Sequence, residues 1–157
     1  MTIIAGSALA GEKMEVRLTK VNKTDKFEVM LDDKSTGRMA FYFAYHGTYK
    51  QEKGGALFDG MNNKGQGSGG MFQGNGPVSG FDVNEKEGDT YRVEWSGVCF
   101  SLSGPDGKPV GYCAGGGFVV PGSGTGRFAG LSGGGNFRGH ALPNGDFEVE
   151  ENSVLEK

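Results

Sequence analysis

The chain is short of the residue types from which catalytic motifs are usually built, with two cysteines, two histidines and one tryptophan in 157 residues. Cys99, Cys113, His46 and His140 show none of the close spacings of a metal site, so no metal is expected. Positive charge is not in excess either. A formal net charge of −3 offers no basic field to a phosphate backbone, which argues against nucleic acid as a partner. No run approaches the roughly 18 apolar residues of a spanning helix, and residues 1–10 lack the basic start and apolar centre of a leader. A membrane partner is therefore not expected, and a cytoplasmic location is. Helix-period segments are nearly absent, because glycine, proline or two-residue alternation interrupts each candidate window. No Gly-Lys-Ser/Thr ending and no helix follow the glycine-rich run at 122–135, which removes a phosphate-loop reading and leaves no cofactor implied.

What is present is glycine and aromatic side chains: 31 Gly, 11 Phe and five Tyr, set in short alternating runs. Disordered chains are poor in such aromatics, so the glycines belong to a folded β protein. The length suits one domain over residues 1–157, with 1–10 and 153–157 peripheral. Glycine inside strands marks bulges, bends and close backbone approach, all of which a small barrel needs in order to close. The expected fold is all-β, a closed antiparallel β-barrel of about eight strands.

Turn chemistry predicts the registers. Met14, Val16 and Leu18 alternate with Glu15, Arg17 and Thr19, and Asn22-Lys23-Thr24-Asp25 reads as a turn that would face Leu18 with Val29. Residues 38–49 carry Met39, Phe41, Phe43 and Tyr45 on one face and Ala40, Tyr42, Ala44 and His46 on the other, which predicts a central strand. Residues 51–76 read as two short or bent strands around 56–58 and 70–72, separated by Asn62-Asn63-Lys64-Gly65. Strands at 77–83 and 89–102 flank a polar turn at 84–88. Centring the next hairpin on Asp106 of Pro105-Asp106-Gly107 pairs Leu102 with Val110, Phe100 with Tyr112 and Val98 with Ala114. The same register makes Cys99 and Cys113 cross-strand neighbours, expected as paired thiols in a reducing compartment. A two-residue turn at Asn144-Gly145 would place His140 beside Val149 on an apolar face.

The run Gly122-Ser123-Gly124-Thr125-Gly126-Arg127-Phe128-Ala129-Gly130-Leu131-Ser132-Gly133-Gly134-Gly135, with Asn136-Phe137 after it, resembles a segment of the allene oxide cyclase and dirigent barrel superfamily. The upstream stretch Glu87-Gly88-Asp89-Thr90-Tyr91-Arg92-Val93, with Trp95 and Gly97, strengthens the likeness, which covers residues 77–142. The resemblance implies an eight-stranded barrel with an apolar lumen, often assembled as a homodimer or homotrimer. It reaches scaffold residues and no catalytic residue of either family, so no catalytic assignment follows from it.

Candidate site residues come from parity and chemistry alone. His140 on its apolar face, His46 beside Tyr42, and Glu94 on the face alternate to Trp95 are the acid–base candidates. Tyr42, Tyr45, Trp95, Phe100 and Tyr112 are the candidate ligand contacts. A core histidine held by protein partners is the expected reading of His140. The leading function is binding of a small hydrophobic metabolite in an apolar lumen, extending to cofactor-independent isomerisation or cyclisation. The alternative is a non-enzymatic structural or interaction barrel filled by its own side chains.

Overall fold

Two-residue alternation of apolar and polar side chains produces strands, and the computed structural model of the protein describes them over residues 11–157. They are β1 (Lys13–Asp33), β2 (Arg38–Thr48), β3 (Lys50–Lys53), β4 (Asn62–Phe72), β5 (Gly76–Lys86), β6 (Asp89–Ser103), β7 (Pro109–Val119), β8 (Ser132–Ala141) and β9 (Phe147–Glu156). All pairings are antiparallel, in the order β2-β4-β5-β6-β7-β8-β9-β1, and β1 pairs back to β2. Eight strands therefore close into a barrel-like ring, with short β3 continuing the path of β2 along β1. Closure removes the free edges that an open sheet would expose.

One end of the ring is plugged. Phe58 and Met61 from the loop after β3, and Phe128 and Leu131 from the loop after β7, pack with Tyr91, Val119 and Leu155 in the apolar core. The Phe128 ring lies 4.9 Å from Tyr91 and 6.0 Å from Phe58, centroid to centroid. Both stretches of the family resemblance meet at this plug. Asp89 accepts hydrogen bonds from the backbone N–H and Nε of Arg127, and the Thr90 N–H donates to Thr125 Oγ1. Gly126, at φ +47°, has no room for a Cβ because the Asp89 carboxylate fills that space. At the opposite end lie the hairpin turns at 34–37, 73–75, 104–108 and 142–146.

Several local expectations are corrected. Residues 22–25 do not turn, and β1 runs straight through them for 21 residues. A register shift between Thr24 and Lys26 flips its parity, so Val16, Leu18, Lys20 and Asn22 face inward before it and Phe27 and Val29 share the face of Phe43 and Phe41 after it. A bulge and a reversal both put an apolar pattern out of phase. The polar turn expected at 84–88 shrinks to Glu87-Gly88, both at positive φ (53° and 87°), the backbone of a two-residue hairpin. Residues 54–61 form a loop, and residues 62–65, expected to separate two strands, open the single strand β4. Between Asn63 and Met71 its inward positions are Gly65, Gly67 and Gly69, each opposite an inward ring of β2: Tyr45, Phe43 and Phe41. The glycines there make room for rings rather than bends.

The Asp106-centred register holds as expected, with Cys99 opposite Cys113. The two sulfurs are bonded, which corrects the expectation of free thiols: the Cα atoms face each other 4.1 Å apart, within reach of a bridge. The last hairpin is displaced by one residue from its expected register. Pro143-Asn144-Gly145 forms the same loop as Pro105-Asp106-Gly107, with Gly145 donating to the Leu142 carbonyl as Gly107 does to that of Gly104. Its centre is Asn144, so Ala141 faces Phe147 and His140 faces Glu148. Residues 153–156, expected to be peripheral, are paired with β1 and β8 on both sides. The peripheral expectation for residues 1–10 lies outside the described residues.

Candidate functional site

Inside the ring, above the plug, is a cavity of about 430 Å³. Its aromatic wall is made by Phe41 and Phe43 of β2, Trp95 of β6 and Phe137 of β8. Glycines flank these rings: Trp95 pairs with Gly80 on one side and Gly117 on the other, and Phe137 with Gly115. A Cβ at Gly67 would come within 2.7 Å of the Trp95 ring, so the glycines are what let large side chains turn inward within a narrow ring.

A polar cluster interrupts the apolar wall. Lys20, at the inward position two residues after Leu18, points its Nζ at Tyr49 Oη (2.7 Å), Asn63 Oδ1 (3.0 Å), Asp82 Oδ2 (3.1 Å) and Glu151 Oε1 (3.3 Å). Burying an ammonium is costly unless it is paired and hydrogen-bonded, and here it is both. Burial pushes the Lys20 ammonium toward deprotonation, but Asp82 and Glu151 outweigh it and hold its pKa above the usual value. The nitrogen keeps its proton and has no lone pair for nucleophilic attack. Asp82 Oδ1 accepts from Tyr45 Oη at 2.6 Å and from Trp95 Nε1 at 3.1 Å, so both its oxygens are engaged. Tyr49 Oη donates to Glu151 Oε1 at 2.8 Å. Burial, then the neighbouring carboxylates, raise the pKa values of Tyr45 and Tyr49 far above 10.0, so both phenols are hydrogen-bond donors.

Three polar atoms in this wall keep unused capacity among the described residues. Glu151 Oε2 makes no hydrogen bond there, and its side chain is 23% exposed beside the cavity. Asn22 Oδ1 and Asn84 Nδ2 also lack partners, although Asn84 Oδ1 accepts from Asn63 at 2.8 Å. Leaving the two buried amide atoms of Asn22 and Asn84 unpaired costs about 1–3 kcal/mol each.

The expected site residues divide sharply. Tyr45 and Trp95 line the lumen. Tyr42 points outward and donates to Gln66 Oε1 at 3.0 Å. Phe100 and Tyr112 stack on the outer face with ring centroids 6.1 Å apart, and His140 continues that ladder 6.0 Å from Tyr112. The one-residue displacement of the last hairpin carries His140 out of the lumen, 3.6 Å from Glu148. His46 is also outside, with Nδ1 2.7 Å from Asp25 Oδ1, and Glu94 is exposed on the outer face of β6. None of the three acid–base candidates borders the cavity.

No protein-family model matches the chain, and no curated protein matches it. Among solved structures the fold is similar to a protein of unknown function from the DUF3224 family of Shewanella oneidensis MR-1, which is 17% identical. The alignment covers 91% of this chain and 99% of that one, with a TM-score of 0.51. That likeness speaks for the fold alone.

Lys20, Asp82, Glu151, Tyr49 and the asparagines were not among the expected site residues. Their signal is a polar side chain at an inward position of an alternating strand, as with Lys20 after Val16 and Leu18. For Glu151 that signal becomes readable only once the hairpin is centred on Asn144. No group of three or more potential metal ligands occurs among the described residues. None of the described helices is long and apolar enough to cross a membrane.

Proposed function

We propose that the protein binds one small ligand with an apolar body and a polar head inside its lumen. The observation that carries this reading is the cavity of about 430 Å³, walled by aromatic rings and furnished with a few convergent polar groups. Ligand sites have this composition, and this volume lies in their usual range. A barrel filled by its own side chains, the alternative, would leave no such space. Confinement between rings also suits isomerisation or cyclisation, because holding reacting ends together lowers the entropic part of the barrier. In that extension Glu151 is the proton acceptor, since its Oε2 is the carboxylate oxygen of the cluster left without a protein donor. The likeness to allene oxide cyclase and dirigent barrels supports a confining lumen, and a homodimer or homotrimer belongs to the same reading. The Cys99–Cys113 bridge favours an oxidising compartment over the cytoplasmic location expected from the sequence.

Trp95 is the single tryptophan and stands in the cavity wall, so its emission reports occupancy. Titration with the neutral apolar fluorophore N-phenyl-1-naphthylamine is expected to quench Trp95 saturably, with one molecule bound per chain in native mass spectrometry. Unchanged Trp95 emission together with a ligand-free native mass would overturn the reading.

A further inference from the structure

Two carboxylates in the cavity wall, Asp82 and Glu151, share one ammonium, that of Lys20. Among the described residues Lys20 is the one cation of the lining. Counted as formal charges, the lumen is negative. Asp82 is saturated by Lys20, Tyr45 and Trp95, so the unspent acceptor is Glu151 Oε2. Asn22 Oδ1, in a side chain only 7% exposed, is a second unpartnered acceptor in the same wall. The rings present electron-rich faces, which attract cations and not anions. Lys20 already exploits this, with its Nζ 4.4 Å from the Tyr49 ring centroid.

Resting on the reading of the lumen as a ligand site, we propose that its ligand is a hydrophobic cation: a primary or secondary amine whose ammonium pairs with Glu151 Oε2 and whose apolar body lies among Phe41, Phe43, Trp95 and Phe137. An anionic head meets repulsion from Glu151 and finds the three N–H donors of Lys20 already given to Tyr49, Asn63 and Asp82 and its charge paired with Glu151. A neutral head satisfies the acceptors but leaves the excess charge unpaired. The ammonium alone answers both, and the carboxylate that receives it is held in place by Tyr49 before the ligand arrives. Desolvation of the amine works against binding, as it does for any buried ion. Here one partner's charge is already in the wall, and its side chain is only partly withdrawn from solvent.

The test uses three probes alike in shape: phenylbutylamine, phenylbutanol and phenylbutanoate, positive, neutral and negative at neutral pH. Each is titrated into the full chain, read by Trp95 emission and by calorimetry. The amine is expected to bind at least about tenfold more tightly than the alcohol, a difference of ~1.4 kcal/mol, and the carboxylate most weakly. Glu151→Gln, which retains an oxygen for Tyr49 and Lys20, is expected to bring the amine down to the affinity of the alcohol while the alcohol itself hardly changes. Binding of the alcohol or the carboxylate as tightly as the amine overturns the cation proposal and leaves the lumen reading standing. Failure of all three to bind overturns both. If Glu151→Gln does not fold, the ranking of the three probes on the unaltered protein still decides.

Discussion

Lys20 sets the charge balance of the lumen, and its neighbours give the fold a specific response to alkali. Its pKa in the folded chain is raised above the ordinary 10.5, so the stability from its pairing is complete below that value and is lost as pH climbs through the folded pKa. Tyr45, Tyr49 and Tyr91 act with the same sign. Burial, first, and the charges of Asp82 and Glu151 keep these phenols protonated in the fold, whereas an unfolded phenol ionises around 10.0. The unfolded chain therefore gains relative stability once pH passes 10.0. A flat stability profile up to that point, then a cooperative loss of strand signal, is the expected result of circular dichroism against pH. Three of the five tyrosines should ionise together with that loss in ultraviolet titration. Ionisation of all five while the strand signal persists would contradict the buried network.

At the scale of the strand, the pairing of inward glycines on β4 with inward rings on β2 is the device that makes a lumen from bulky residues. Gly65 and Gly70 separate its two faces experimentally. A Cβ at Gly65 would strike the Tyr45 ring and the Asp82 carboxylate, whereas one at Gly70 would meet nothing within 4 Å. Gly65→Ala is expected to destabilise by about 1–3 kcal/mol, the usual cost of overpacking. Gly70→Ala should be neutral or slightly stabilising, because it restricts the unfolded chain without a native clash. Urea denaturation of the pair checks both, and equal effects would mean that the face assignment is wrong. This glycine face also explains which parts of the fold were legible in the sequence. Alternation located most strands, and Pro105-Asp106-Gly107 gave the β6–β7 register because its chemistry specifies one loop. β4 was hidden because glycine carries no apolar signal, and the β1 bulge looked like a reversal because both shift the phase. The site was read through parity on strands whose outer faces also carry rings, as in the Phe100–Tyr112–His140 ladder. Parity separates two faces without naming the inner one, so only Tyr45 and Trp95 of the candidates reach the lumen.

For the whole molecule, two links restrain the ring: the Cys99–Cys113 bridge across β6 and β7, and the pairing of β1 with β9. The bridge spans a sequence separation of 14. Closing a loop of that size stabilises by about 3 kcal/mol through the unfolded chain, so reduction should lower the urea midpoint while the native strand spectrum is retained. Free thiols under denaturing, non-reducing conditions would show that the bridge is absent, and indifference of the urea midpoint to reductant would show that it contributes nothing. The second link has a different bearing, on the order in which the protein is made. The second half of β1 can pair with β2 as soon as β2 leaves the ribosome, but Lys13–Asn22 finds its β9 partner only after Phe147–Glu156 has been synthesised. Until then β8 also presents an unpaired edge, and Lys20 waits without Glu151. Until Phe147–Glu156 emerges, the nascent chain thus carries an open sheet, a template for contact with other chains in the cell. The lumen exists only once β9 has closed the ring.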